Sequence, residues 1–454
     1  MKVLNKFKTH IYLIIFIIIG TIIRTVYFVL EFDTIYSAGT YVKAAGMIAK
    51  GEYTSFREPT FPFFGFLLIL IIQEPNLSVK LVSFISGILV IPTSYFVFRS
   101  ASLKIFRNDS ADNIDIVKKS KYIALLGSFF YTVNAAIVVN SAHGLREELI
   151  SLLFLLIFYF IFVKDDNETI KDKIIIIILI SAFTLIHLTL GIFTFLAIFF
   201  CFLVLKSDVF NLKFNISSIK MILISISFLI SITGWFIHCT IIHNDPFYTI
   251  NITRKLEEQY TDYNDKDLPN LINSLIYGLE IGIYTEFEIF MFQIGFIFII
   301  LALFSLVRYR NKKEIFFLSF ILIINLLYLS PFIAFWPRPR LLLYFYPFIF
   351  FLGFLTIVDI WYDNKEIELV RLNFIKKNIP ISINLIFILY LIFFILTQIF
   401  WHIIQINQLI AIEDPMVIYD NLFYDCLLIQ NILLAFLIFF PYFYKKRELS
   451  QIAN

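Results

Sequence analysis

Between Glu31 and Pro62 the chain gathers side chains that can do chemistry. Carboxylates (Glu31, Asp33, Glu52, Glu58), tyrosines (Tyr36, Tyr41, Tyr53) and Arg57 fall within one segment that Pro59 and Pro62 close. A carboxylate such as Asp33 can take a proton from an incoming hydroxyl or amine. A second group, Gly144-Leu145-Arg146-Glu147-Glu148, sets an arginine beside two acids. A third, Trp336-Pro337-Arg338-Pro339-Arg340, holds two guanidinium groups on a proline-stiffened segment, and guanidinium is suited to a bidentate grip on phosphate. Each group also has a plainer reading. Asp33 can cap a helix or sit in solvent, Glu147 and Glu148 suit the positive end of a following helix, and Arg338 and Arg340 can anchor an interface. A fourth segment, 243–286, is rich in Asp, Asn, Tyr and Glu and reads as a cover over a site or as a solvated loop.

The elements that must carry these groups are lipid-facing helices. Hydrophobic residues make up 60% of the chain and charged residues 16%, whereas soluble proteins lie near half apolar and a quarter charged. Apolar runs of roughly 20 residues match a bilayer core of about 30 Å. The sequence therefore predicts an all-α polytopic membrane protein, a single transmembrane domain over 1–454. About twelve transmembrane helices are expected, near 11–30, 80–98, 122–139, 149–163, 174–187, 189–205, 218–242, 288–307, 315–334, 341–359, 380–402 and 427–444. The first run is too long for a signal-peptide core and lacks a small-residue cleavage site, so it reads as a helix. The two large outer loops are 31–79 and 243–287. Phe61 to Gln73 is apolar but too short to span, and reads as an interfacial helix of the first outer loop.

Charge orients this arrangement. With the N-terminus inside, 25 of the 37 Lys and Arg fall on inner segments and nine on outer ones, the expected cytoplasmic excess. Both termini are then cytoplasmic, in a multi-pass protein of the cell membrane. All four candidate groups share the outer face.

Several function classes are excluded or weakened. There is no Gly-rich phosphate loop, no serine elbow and no nucleic-acid motif. Three cysteines, Cys201, Cys239 and Cys426, give no disulfide framework or metal spacing. His187 reads as a helix-end or packed histidine. Charges inside helices are scarce, Arg24 lying near the outer end of the first, which argues for surface chemistry over ion-coupled transport.

One set of stretches is diagnostic in its order. Tyr41-Val42-Lys43-Ala44-Ala45 leads through Gly51-Glu52-Tyr53 to Arg57-Glu58-Pro59 and Pro62. The short apolar segment follows, then the Leu81 to Phe98 helix with its basic exit, then Leu145-Arg146-Glu147-Glu148-Leu149. Arg338-Pro339-Arg340-Leu341-Leu342-Leu343-Tyr344-Phe345-Tyr346-Pro347 comes last. This layout resembles the integral membrane glycosyltransferases of C-type fold that use polyprenyl-phosphate sugars, such as protein O-mannosyltransferases and the aminoarabinose transferases of lipid A. The resemblance covers roughly the first 205 residues and 335–350; the rest is similar only in hydropathy.

The resemblance implies inverting transfer of a hexosyl or pentosyl group from a polyprenyl- or dolichyl-phosphate donor, on the extracytoplasmic face, to a protein, lipid or glycan acceptor. The acid of the family's first outer loop stands four residues before a Tyr. Aligned on Tyr41, that place is Ser37 here, and Asp33 is the nearest acid. Asp33, Glu147 and Glu148 are the expected catalytic carboxylates. Tyr41, Arg57, Glu58, Arg146, Arg338 and Arg340 are the expected substrate-binding residues, with Arg340 on donor phosphate. No cofactor is required, and a divalent metal is compatible with the acids without any ligand spacing demanding one. Membrane lipids are partners and nucleic acid is not. The alternative is a non-catalytic lipid-binding or lipid-translocating protein on the same scaffold, which the Ser37 departure favours. A glycan polymerase or ligase is a third reading.

Overall fold

The protein, seen in a computed structural model, is described over residues 2–30, 39–55, 57–107, 113–164, 169–206, 218–249, 251–252, 283, 285–286, 289–290, 293–335, 339–364, 368–374, 377–410 and 416–452. Helix α1 (Lys2–Leu30) turns Ile11, Ile14, Ile15, Ile18 and Ile22 outward and buries Leu13, Gly20, Arg24 and Tyr27. Helical periodicity puts the buried set on one stripe and leaves the isoleucines for lipid. Helices α2 (Gly39–Ala49) and α3 (Thr60–Ile72) follow. At 13 residues, α3 is about 20 Å long at 1.5 Å per residue, a length that fits an interfacial helix. It stops at Gln73, whose φ of 61° is left-handed. Glu74 then accepts the Leu77 N–H and Pro75 occupies the first turn, both strong helix-start signals. Helix α4 (Pro75–Phe106) consequently begins five residues ahead of the expected span.

The expected span at 122–139 is broken. Helices α5 (Asn113–Val133) and α6 (Ala135–Ala142) meet at Asn134 with a bend of 56°. Asn134 caps α6 through the Ile137 N–H at 3.2 Å. Helix α14 (Ile383–Ile410) satisfies the backbone groups that the break releases: Gln398 accepts the Ala135 N–H at 3.0 Å, and His402 Nε2 lies 3.0 Å from the Val133 carbonyl. Arg24 of α1 donates to the Thr132 carbonyl at 3.2 Å. A break inside a membrane-spanning unit persists only when neighbours re-satisfy the backbone in this way.

The chain continues through α7 (Glu147–Phe158), a π turn (Tyr159–Val163), α8 (Ile170–Thr184), α9 (Leu188–Lys206) and α10 (Ser218–His243). Then come α11 (Phe296–Arg308), α12 (Lys313–Phe335), a 3-10 segment (Pro339–Phe345) and α13 (Tyr346–Asn364). Helix α15 (Met416–Ile452) is last. Strands β1 (Glu368–Phe374) and β2 (Lys377–Ser382) pair antiparallel between α13 and α14. The hairpin stands where an inner loop was expected, the one departure from an all-helical chain among the described residues.

Among the described residues, six helices are long and apolar enough to cross a bilayer, seven if the bent α5–α6 pair is one unit. The chain is a helical, multi-pass membrane protein. Its axis is α13, buried along almost its whole length, and the packing around it is largely phenylalanine. Phe130 of α5 stacks on Phe394 of α14 and meets Phe354 of α13 edge-on at 4.4 Å. Gly353 admits the neighbouring Phe298: a Cβ there would come within 2.3 Å of that ring.

One end of the bundle is tied by charge. Asp359 of α13 accepts from Lys119 of α5 at 2.8 Å, from Arg308 of α11 at 2.5 Å and from Tyr309 at 2.8 Å. Lys119 also reaches Asp363 at 2.6 Å. Among the described residues, the pairs Lys119–Asp363, Arg146–Glu58, Lys164–Asp172 and Arg340–Glu147 each join residues of loops expected on the same side of the membrane.

Candidate functional site

The other end gathers most of the candidate chemistry. The segment after α2 turns through Gly51, with φ of +74°, and delivers Arg57 and Glu58 to α3. Tyr53 donates to the Arg57 carbonyl at 2.5 Å, and Arg57 Nε donates to Thr40 Oγ1 at 3.3 Å. From a separate segment, Arg146 reaches Glu58 at 2.9 Å, both side chains being nearly buried at 12% and 6% exposure. Tyr41 lies between the two arginines, 5.0 Å from Arg57 and 5.9 Å from Arg146, distances at which an aromatic face attracts a cation. Burial works against the Arg146 charge, but Tyr41, Glu58 and Glu147 outweigh it and hold its pKa above the ordinary arginine value.

Glu147 opens α7 and faces the 3-10 segment that leads into α13. Its carboxylate lies 3.9 Å from Arg340, the pair being 7% and 25% exposed. Glu147 Oε2 is buried without a hydrogen-bond partner. Thus Tyr41, Arg57, Glu58, Arg146, Glu147 and Arg340, drawn from three distant stretches of chain, form one connected cluster. Asp33, Ser37 and Arg338 lie outside the described residues, as does most of the 243–286 segment.

Glu148 departs from its expected role beside Glu147. It turns into the bundle, accepts from the Tyr131 hydroxyl and lies with Arg24 against Gly87. Arg24 itself stacks over the Tyr131 ring at 5.7 Å. Consecutive residues on a helix point about 100° apart, so only one of the two acids can face the cluster. Glu148 serves instead to fasten the first turn of α7 to α1, α4 and α5.

The residue that sequence reasoning passed over is His187. It sits in the turn Leu185–Leu188 between α8 and α9, which the cluster grips at three points. Thr60 N–H donates to the Leu185 carbonyl at 3.2 Å, Arg146 to the Ile186 carbonyl at 2.7 Å, and Leu188 N–H to Glu58 at 3.1 Å. Burial, with Arg146 and Arg57 alongside, holds the His187 pKa well below the usual histidine value, so the imidazole is neutral at neutral pH. No acid or cysteine stands near it in sequence, and a search for metal-ligand spacing cannot find it. Among the described residues no group of three or more His, Cys, Asp or Glu is arranged to hold a metal ion.

Comparison with protein-family models, curated proteins and solved structures returns no match for this chain. A buried carboxylate oxygen with an unengaged lone pair can accept a proton from a hydroxyl. Guanidinium groups within a few ångströms of it can hold an anion or stabilise negative charge that develops on a departing group.

Proposed function

We propose that this protein is a membrane glycosyltransferase that moves a hexosyl or pentosyl group from a polyprenyl-phosphate donor to an acceptor on the extracytoplasmic face. The observation that carries this reading is the 3.9 Å approach of Arg340 to Glu147, whose second oxygen is buried and unpartnered, beside the Arg146–Glu58 pair. In the proposed reaction Glu147, or Asp33 of the first outer loop, takes the proton from an acceptor hydroxyl. The oxygen attacks the anomeric carbon from the face opposite the phosphate, and the bond between that carbon and the phosphate oxygen breaks with inversion. The lipid phosphate leaves as an anion, and Arg340, with Arg338 and Arg57, stabilises its charge. Glu58 holds Arg146 in place, and Tyr41 presents its ring to both first-loop and second-loop arginines. No nucleotide is consumed, because the lipid phosphate is the leaving group. The protein acceptor, lipid acceptor and glycan acceptor all satisfy this scheme.

The same reading has twelve spanning helices, both termini in the cytoplasm and the cluster on the outer side of the cell membrane. The lysine and arginine excess on the opposite segments supports that orientation.

The test is transfer from a polyprenyl-phosphate sugar by purified protein, with Asp33→Ala and Glu147→Ala assayed separately. Loss of at least 100-fold is expected in one of them, the scale on which a positioned acid–base group contributes. Full activity in both would end the assignment of the base. The alternative, lipid binding or translocation without chemistry, draws on Ser37 standing where the family carries its acid. It predicts a tightly bound polyprenyl lipid and no turnover.

A further inference from the structure

We propose that His187 hydrogen-bonds a hydroxyl of the sugar presented to this cluster, and so helps select which sugar is accepted. The inference deepens the glycosyl-transfer reading and rests on it. Thr60, Arg146 and Glu58 fix the backbone at Leu185, Ile186 and Leu188, which immobilises the turn on both sides of His187. Yet the ring in the middle has a buried Nδ1 with no hydrogen-bond partner. A buried polar nitrogen left unpaired is costly, and such sites usually find a partner in a ligand or a water.

The partner this nitrogen calls for is specific. A neutral imidazole carries one N–H donor and one lone pair. A hydroxyl both donates and accepts, so it can satisfy Nδ1 in either tautomer. Phosphate and carboxylate only accept, so they can meet a ring nitrogen only where it carries its hydrogen. Burial first, with the charges of Arg146 and Arg57 adding to it, keeps the ring neutral, and those guanidinium groups are better suited to meet an anion. The division of labour assigned here is guanidinium for phosphate and imidazole for sugar. His187 is a binding residue, since nothing requires it to move a proton in the reaction.

The experiment uses the full chain in lipid nanodiscs and four probes: farnesyl phosphate, and farnesyl-phosphoryl mannose, glucose and galactose. Binding is measured for the parent protein, His187→Phe, which keeps the ring volume, and His187→Gln, which restores a donor and an acceptor. The parent is expected to bind one sugar-bearing probe more tightly than farnesyl phosphate. His187→Phe should weaken that probe roughly 3- to 10-fold, leave farnesyl phosphate within twofold, and flatten the preference among sugars; His187→Gln should regain part of it. A merely structural histidine would lower all four affinities together, and that result overturns the assignment while the lipid-phosphate reading stands. Equal binding of all four probes by the parent protein overturns it too. If the parent binds none of the four, the donor reading fails and takes this inference with it.

Discussion

Replacing Glu58 and Arg146 singly and together tests whether the cluster is held by one buried ion pair. Glu58 has two tasks: it neutralises Arg146 at 2.9 Å and accepts the Leu188 N–H at 3.1 Å. Arg146 also has two, since the same nitrogen serves the Ile186 carbonyl. In Glu58→Gln the amide oxygen can still accept from Leu188, but the amide NH2 then faces the Arg146 guanidinium, donor against donor, so the charged hydrogen bond is lost. A hydrogen bond to a charged group contributes about 1.5–3 kcal/mol, which puts the cost near 2 kcal/mol. Arg146→Met strands a buried carboxylate and leaves the Ile186 carbonyl without its donor, at a cost of about 3–5 kcal/mol. In the double variant no charge is stranded, and the side-chain amide introduced by Glu58→Gln can donate to the Ile186 carbonyl in place of the lost guanidinium. The double loss should therefore fall short of the sum of the single losses by about 2 kcal/mol, within the coupling range of contacting residues. Reversible unfolding in mixed micelles, titrated with a denaturing detergent, measures all four corners of the cycle. Additivity to within about 0.5 kcal/mol would refute the reasoning, because it would mean that the two side chains do not stabilise each other.

Three further outcomes are expected from other parts of the molecule. Gly87→Ala puts a Cβ 3.0 Å from Ser141 Cβ and 3.1 Å from Arg24 Nε, so it should destabilise by about 1–3 kcal/mol through overpacking; unchanged thermal unfolding would contradict the close approach. Arg24→Met should be more damaging than Arg24→Met with Glu148→Gln, because the single change leaves Glu148 buried beside Tyr131 without its nearby cation; the comparison is made on the same unfolding assay. Asp172 is held at about 2, below its ordinary 3.8, first by the Lys164 hydrogen bond and then by the Thr169 backbone N–H. A depressed acid stabilises above its unfolded pKa and loses that contribution as pH falls through the folded value. The start of α8 should therefore loosen between about pH 4 and pH 2, seen as faster amide exchange at 170–174 after correction for intrinsic rates, and Asp172→Asn should abolish the pH step.

The apolar runs made the helices legible, because burial in lipid demands long apolar stretches and little else satisfies that demand. The break at Asn134 was not legible. Its stability depends on Gln398, His402 and Arg24, partners far away in sequence that leave no local mark on the 122–139 stretch. The early start of α4 could have been read, since Glu74 followed by Pro75 is a helix-start signal, but hydropathy alone ignores it. At the site, the residue types were visible and their pairing was not. Glu58 and Arg146 both stood out, yet nothing in the chain says that they meet. The different facing of Glu147 and Glu148 was available from helical geometry, as adjacent residues diverge by about 100°. His187 was hidden because its surroundings are backbone groups of its own turn and side chains from two other segments.

The placement of Glu147 and Arg340 follows from how the helices beneath them are anchored. Arg340 precedes α13, and Glu147 follows the α5–α6 break. At their far ends α13 and α5 are joined by Asp359 and Lys119, with Arg308 and Tyr309 of the neighbouring segment on the same carboxylate. Near the break, Glu148 ties α7 to Tyr131 of α5. The 3.9 Å between Arg340 and Glu147 is longer than a hydrogen bond, so no direct hydrogen bond fixes this separation. Helices joined at their far ends can hold charged groups at such a spacing, and that is what a site needs if its charged groups are to meet a ligand instead of collapsing onto each other. A carboxylate and an arginine fully engaged with each other would leave neither an oxygen for a proton nor a cation for an anion. Here one oxygen of Glu147 remains without a hydrogen bond, so the carboxylate keeps an acceptor free for the proton of an incoming hydroxyl.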